Sequence, residues 1–243
     1  MRLLRVGLIV PHAPALLPQV RGGPAPDTDI PPDEGGPLCI LLSPHGDETG
    51  VYRRVRGNLD AFGIGGVQAE RRTDRAFGKS LAAAWNKPLL SEDPDHGVVV
   101  PLIQGIPLQL RVVAACLKEW TGPEEGDVES VIAEARAFAG AVIELSVDHD
   151  IIVAASAHSA ASLSPGAPLM ERAEGHELEQ EITKALETDL GMLASIDVGL
   201  WKAAGACGVG PLTAFGVLFE GHTARASFRE APFGVGYLLA QTE

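Results

Sequence analysis

Residues 38–47 read LCILLSPHGD. The run from Leu38 to Leu42 is unbroken by any charge and is rich in Leu and Ile, the pattern of a strand covered on both faces rather than one wetted on alternate positions. Proline disfavours the helical region for the residue before it, so Ser43 stays extended and the strand runs out at Pro44. Gly46 then allows a tight turn and a close approach by a neighbour. His45 is thus carried at the tip of a buried strand. The same order recurs at residues 3–14, LLRVGLIVPHAP, and in looser form at residues 149–162, HDIIVAASAHSAAS.

A fourth apolar run, Leu110 to Leu117, completes a set of short buried strands. Between the strands lie helical periods. Val128, Val131, Ile132, Ala135, Phe138, Ala139 and Val142 recur at three- and four-residue steps, so that segment lays one face on a sheet. Thr73 to Trp85 and Glu177 to Leu190 read as two more helices. The runs TARASFR (223–229) and GVGYLLAQT (234–242) read as closing strands around the turn-forming EAPFG. Strands alternating with helices imply an α/β sandwich: one domain over residues 1–243, its central sheet mostly parallel or mixed and flanked by helices. Ligands of such sheets sit beyond the carboxyl ends of the strands, where His12, His45 and His158 all fall. Arg21 to Pro37 is too rich in Pro, Gly and Asp to be an element and is either a lid or an unstructured excursion.

Composition narrows the partners. A chain of 243 residues that is 46% hydrophobic can bury a full core. Lys+Arg 19 against Asp+Glu 32 gives a net charge of −13, which repels phosphate backbones and argues against nucleic acid and anionic membranes. A small molecule or another protein is the expected partner, and a homo-oligomer is allowed. Three scattered cysteines, Cys39, Cys116 and Cys207, form neither a disulfide framework nor a zinc ribbon and fit a reducing cytoplasm. The apolar stretch before Pro11 is too short to span a bilayer.

Each histidine has a plain reading beside the functional one. A single imidazole at a strand end commonly serves as a hydrogen-bonded structural group, yet His12 and His45 occupy equivalent proline-flanked points of two strands, which packing alone does not require. Neutral imidazole is the common ligand of borderline metals, and rigid strand ends suit a metal site. His96, in DPDHGVVVPL, reads either as a site residue or as a helix-entry turn capped by Asp95. His158 leaves its strand into a loop of small residues with room for a substrate and is an acid/base candidate. His149, His176 and His222 sit among charges and read as surface residues. Cys39 and Cys116 lie within strands and read as core, while Cys207 reads equally as an apolar filler or as a ligand.

Taken in order, LIVPHAP, LLSPHG, DHGVVVPL, the His158 loop with SPGAP, ACGVGPL and PFGVGYLLA resemble the class III extradiol ring-cleavage dioxygenases, a superfamily that includes the Memo-like proteins. The resemblance spans nearly the whole chain. It implies a non-haem Fe(II) held by His12, His45 and one further ligand, with His96 and His158 as the catalytic pair that handles protons, dioxygen and a catechol-type diol. Pro14 and Asp47, beside the two ligand histidines, are candidate substrate contacts.

Two departures bear on the chemistry. Where ring-cleaving relatives carry a glutamate as third ligand, this chain has Cys207, as Memo-like proteins do; a thiolate tilts selectivity from Fe(II) toward Zn or Cu. Glu220, Asp47 and Glu48 are the alternative carboxylates. Before His158 the chain has AASAH in place of the Gly-Asp-x-Ser-His of many relatives. Three activities are therefore expected to compete: an oxygen-dependent extradiol dioxygenase, a Memo-like metal-binding protein without ring cleavage, and a zinc hydrolase with His158 as base.

Overall fold

The computed structural model describes residues 4–12, 37–104, 106, 110–118 and 128–243. Nearly all of the Arg21–Pro37 excursion, and Pro14, lie outside them. In chain order the elements are β1 (Leu4–Val10), β2 (Leu38–Ser43), β3 (Gly50–Tyr52), β4 (Val55–Asn58), β5 (Gln68–Arg71), α1 (Arg75–Trp85), β6 (Leu89–Leu90), α2 (His96–Gln104), β7 (Arg111–Cys116), α3 (Val128–Leu145), β8 (Ile151–Ser156), α4 (Ala173–Thr188), α5 (Val198–Ala204), α6 (Val209–Leu218), β9 (Ala224–Glu230) and β10 (Tyr237–Thr242). Short 3-10 turns occupy Asp60–Phe62 and Leu190–Ser195.

The architecture is α/β. Eight strands form one sheet in the order β6-β3-β7-β2-β8-β1-β10-β9, and β4 pairs β5 in a separate hairpin. The middle of the sheet, β7-β2-β8-β1, is parallel throughout, while β3 joins it antiparallel on one side and β10 on the other. The sheet is mixed, with its parallel part at the centre. The strands nearest the two ends of the chain, β1 and β10, are neighbours.

Alternation along the central strands splits the core into two layers. Leu38, Ile40 and Leu42 of β2 face the same layer as Val113 and Ala115 of β7 and Ile151, Val153 and Ala155 of β8, against α1, α3, α4 and α6. Cys39 and Leu41 face the other, with Val112, Ala114 and Cys116, against α2 and the β4–β5 hairpin. Both faces are dry, which is why these strands read as continuous apolar runs. No helix among the described residues is long and apolar enough to cross a membrane.

Register is what positions the site. Ser43 stands opposite Cys116, Leu42 opposite Ala155, and Val10 opposite Ser156, so the four parallel strands end nearly level. His12, His45 and His158 each follow their strand's last residue by two positions. Parallel strands of matched register therefore deliver three histidines to one rim.

One boundary differs from expectation. The helix expected over Glu177–Leu190 begins earlier, at Ala173, and gives way to the 3-10 turn at Leu190. The Val-rich stretch after His96 is a helix, α2, with Pro101 inside it, in keeping with the helix-entry reading of Asp95.

The layer under α3 supplies a stability test. Phe138 is fully buried, its ring 5.0 Å from that of Trp85 in an edge-to-face pair. Phe138→Ala is expected to cost about 3–5 kcal/mol, from lost transfer energy and a cavity that α3 cannot close. Equilibrium denaturation checks this; a loss below about 1 kcal/mol would show that the layer is not packed as described.

Candidate metal centre

His12 anchors the rim. It is completely buried, and its Nδ1 lies 2.9 Å from Oγ of Ser156, the last residue of neighbouring β8. That contact fixes the ring and leaves Nε2 facing the other histidines. His45 reaches it from β2, with Nε2 2.9 Å from Nε2 of His12. The loop that carries His45 is held by Ser43, whose Oγ accepts the His45 backbone N–H at 3.1 Å, and by the Tyr52 hydroxyl and Cys116 thiol, both donating to the His45 carbonyl.

His96 arrives from the opposite layer. Asp95 caps α2, its Oδ1 accepting the Gly97 N–H at 2.9 Å, while its other oxygen lies 3.2 Å from Nδ1 of His96. The two sequence readings of His96 hold together: it begins a capped helix and it belongs to the cluster. Its ring stacks on that of His45 with centroids 4.4 Å apart. Gly97 makes the approach possible, since a Cβ there would strike Ser43 Oγ and come within 3.3 Å of the His45 ring.

His158 closes the cluster from β8, its ring centroid 3.8 Å from that of His12 and 5.0 Å from that of Tyr237. Cys207 lies between α5 and α6 with Sγ 3.6 Å from Nε2 of His12. Two overlapping groups result, His12–His45–His96 and His12–His158–Cys207, each with ligand atoms within 4.8 Å of one another. His12 belongs to both.

The donor set fits an ion. Two imidazole nitrogens each about 2.0–2.1 Å from one metal stand about 2.9 Å apart at a right angle and about 3.4 Å apart tetrahedrally; a thiolate at about 2.3 Å stands about 3.6 Å from a tetrahedral imidazole partner. The separations of 2.9 and 3.6 Å are ones that a single ion can span. Nε2 of His158 is buried without a hydrogen-bond partner, a donor or acceptor waiting for one. The His/Cys cluster can hold a metal ion.

No carboxylate among the described residues joins either group. Asp47, Glu48 and Glu220 are exposed. Cys39 and Cys116 are buried within β2 and β7 as expected. His176 is exposed beside Glu171, and His222 is exposed, whereas His149 is half-buried with its ring 5.0 Å from that of Phe77.

Charge is distributed unevenly over the cluster. Burial, and then the neighbouring imidazoles of His158, His45 and His96, hold His12 well below the usual histidine range, so it is neutral and ready to ligate. Burial alone would push the Cys207 thiol up, but the charge and hydrogen bonds of His158 and His45 outweigh it and bring the thiol down to about 6. Burial likewise works to raise Asp95, yet its contacts with His96, the charge of His45 and the Gly97 N–H leave it lowered, an anion beside the cluster. Burial and then the nearby Cys207 push the Tyr237 phenol up.

Sequence patterns do not pick out Asp95 as a partner of His96, Ser156 as the holder of His12, or Tyr237. They also pass over Phe62, whose ring lies 4.6 Å from that of His96 and is 48% exposed. A polar residue ending an otherwise apolar strand, as Ser156 and Ser43 do, is the available signal for the first kind. Phe62 and Tyr237 are brought in by tertiary packing and leave no local mark.

No family model matches this chain, and no curated protein matches it. Among solved structures the chain is similar to the uncharacterized protein JW3007 from Escherichia coli K12, at 12% sequence identity and TM-score 0.56, over 98% of this chain and 99% of that one. That likeness shows the shared fold.

The lowered thiol is open to measurement. In the metal-free chain, alkylation of Cys207 by iodoacetamide is expected to rise with pH around a midpoint near 6, because the thiolate is the nucleophile and its pKa lies at about 6. Cys39, buried and pushed up to about 12, should not compete. Mass spectrometry of the labelled protein reads the site. A midpoint above about 8, the ordinary thiol range, would contradict the electrostatic account.

Proposed function

We propose that this chain is a metal-dependent oxidoreductase of the class III extradiol dioxygenase kind, which uses O2 to open the ring of a catechol-type diol. The observation that carries the reading is the convergence of His12, His45, His96 and His158 at the rim of one sheet, four imidazoles where a core needs none. When bound, Fe(II) supplies the redox centre at which diol and dioxygen react.

The chain's own residues divide the remaining work. His12 and His45 hold the ion, with Cys207 or His96 as the third ligand the geometry offers. His158, with its unpartnered Nε2, accepts a phenolic proton from the diol and returns it to the product. Asp95 lies 3.2 Å from Nδ1 of His96 and orients that ring, whose N–H can donate a hydrogen bond to an anionic oxygen. Phe62 offers an apolar wall beside His96 against which an aromatic ring can lie.

One observation favours a second reading. A thiol, with no carboxylate in either group, stands at the third-ligand position, and a softer donor suits Zn or Cu better than oxygen-activating iron. On that reading the chain is a Memo-like metal-binding protein without ring-cleaving activity, acting in redox, sensing or partner binding.

Anaerobic loading with Fe(II), followed by air and a panel of catechols, tests the first reading through the yellow ring-opened product. His158→Ala is expected to lower turnover about 10²- to 10⁴-fold while iron is retained. No colour across the panel from iron-replete protein would overturn ring cleavage. Zinc or copper in the protein as purified, lost in Cys207→Ala, would support the second reading.

A further inference from the structure

A second feature lies at the other side of β3. A cleft of about 300 Å³ opens between α1 and the sheet edge formed by β3 and β6, and four cationic side chains line it: Arg53, Arg54, Arg75 and Lys79. Chain organisation brings them together from two directions. Arg53 and Arg54 follow the end of β3, while Arg75 and Lys79 lie four residues apart on one face of α1.

Four cations on one cleft stand out in a chain of net charge −13. With 32 acidic residues against 19 Lys and Arg, a basic side chain at the surface should meet a carboxylate more often than another base. Four cations elsewhere do so: Arg56 pairs with Asp93, Lys87 with Glu134, Arg111 with Asp74 and Arg229 with Glu179. Among the described residues no carboxylate pairs with any of the four cations of the cleft. The acid that caps α1, Asp74, is engaged with the Phe77 N–H and with Arg111, and is not left to neutralise them. Two like charges at that helical spacing oppose folding slightly, and a bound anion would relieve the repulsion.

The cleft is also shaped for an occupant. Arg53 is held in place by its Nε, which donates to the Leu89 carbonyl at 3.2 Å. Gly78, between the two α1 cations in sequence, brings the α1 backbone to the wall of the cleft. Leu89 adds an apolar patch to the wall.

We propose that this cleft is a binding site for a small, multiply charged oxyanion of the phosphate-ester or polycarboxylate class. Guanidinium groups offer paired donors to such oxygens, and a lysine adds a point charge. A cleft of about 300 Å³ accommodates a small molecule. The net charge of −13 disfavours the polyanionic backbone of a nucleic acid. Tyr52 borders the cleft while its hydroxyl reaches the His45 carbonyl, so the site adjoins the metal centre but shares none of its histidines.

Isothermal titration of the metal-free chain with pyrophosphate and with citrate, at low and at physiological salt, tests the assignment. Saturable binding of one anion per chain is expected, weakening as salt rises. Arg54→Gln with Lys79→Gln should weaken it at least tenfold without changing the circular dichroism spectrum, whereas His45→Gln should leave it unchanged. Pyrophosphate binding more tightly than citrate would point to a phosphate ester, and the reverse order to a polycarboxylate. The proposal is overturned if neither anion binds saturably, if the folded double variant binds as the parent does, or if His45→Gln abolishes binding.

Discussion

A buried imidazole surrounded by three others must stay neutral. His12 is in that position because β1 lies inside the sheet, and the surrounding arrangement can be understood from this requirement. Burial keeps water from stabilising a positive charge on this ring, and the imidazoles of His158, His45 and His96 disfavour it further. Ring nitrogens pointed at one another can share a cation. The contact to Ser156 holds the ring in the orientation that presents Nε2 to that place.

The sheet supplies the precision. Parallel strands with matched register end level, and a two-residue step beyond each end carries a histidine to the same height. Side chains from the opposite layer complete the cluster only because α2 begins hard against the end of β2, where Gly97 offers no Cβ. The supports of the site are strand ends and a capped helix start rather than long loops.

Much of this is readable in the chain itself. The buried strands stand out as continuous apolar runs, since both faces of the parallel centre are covered, and proline after two of those runs marks where a histidine leaves. α2 is half legible: Asp95 marks a possible helix entry, while the Val-rich stretch containing Pro101 has weak helix propensity that packing of Val98, Val99 and Leu102 on the sheet overrides. Asp95 reads as a cap but not as a partner of His96, for a cap is a local matter and the second contact depends on where α2 lands. Phe62 and Tyr237 come from a turn and a late strand that only the tertiary fold sets beside histidines. Pro14 and most of the Arg21–Pro37 stretch lie outside the described residues.

The thiol at the third position is what separates the two chemistries considered for the site. It approaches His12 at a distance one ion can span, and His158 and His45 draw it toward the thiolate. A carboxylate in its place would favour a harder metal with open faces; the sulfur favours a softer, more closed one.

X-ray absorption at the metal edge, on protein purified near neutral pH together with metal analysis, tests the shared site most directly. One ion per chain is predicted, ringed by imidazole nitrogens at about 2.0–2.1 Å with sulfur at about 2.3 Å where Cys207 is a ligand, and lost in His12→Ala. Metal bound as well by that variant as by the parent, or a shell lacking imidazole, would contradict the account.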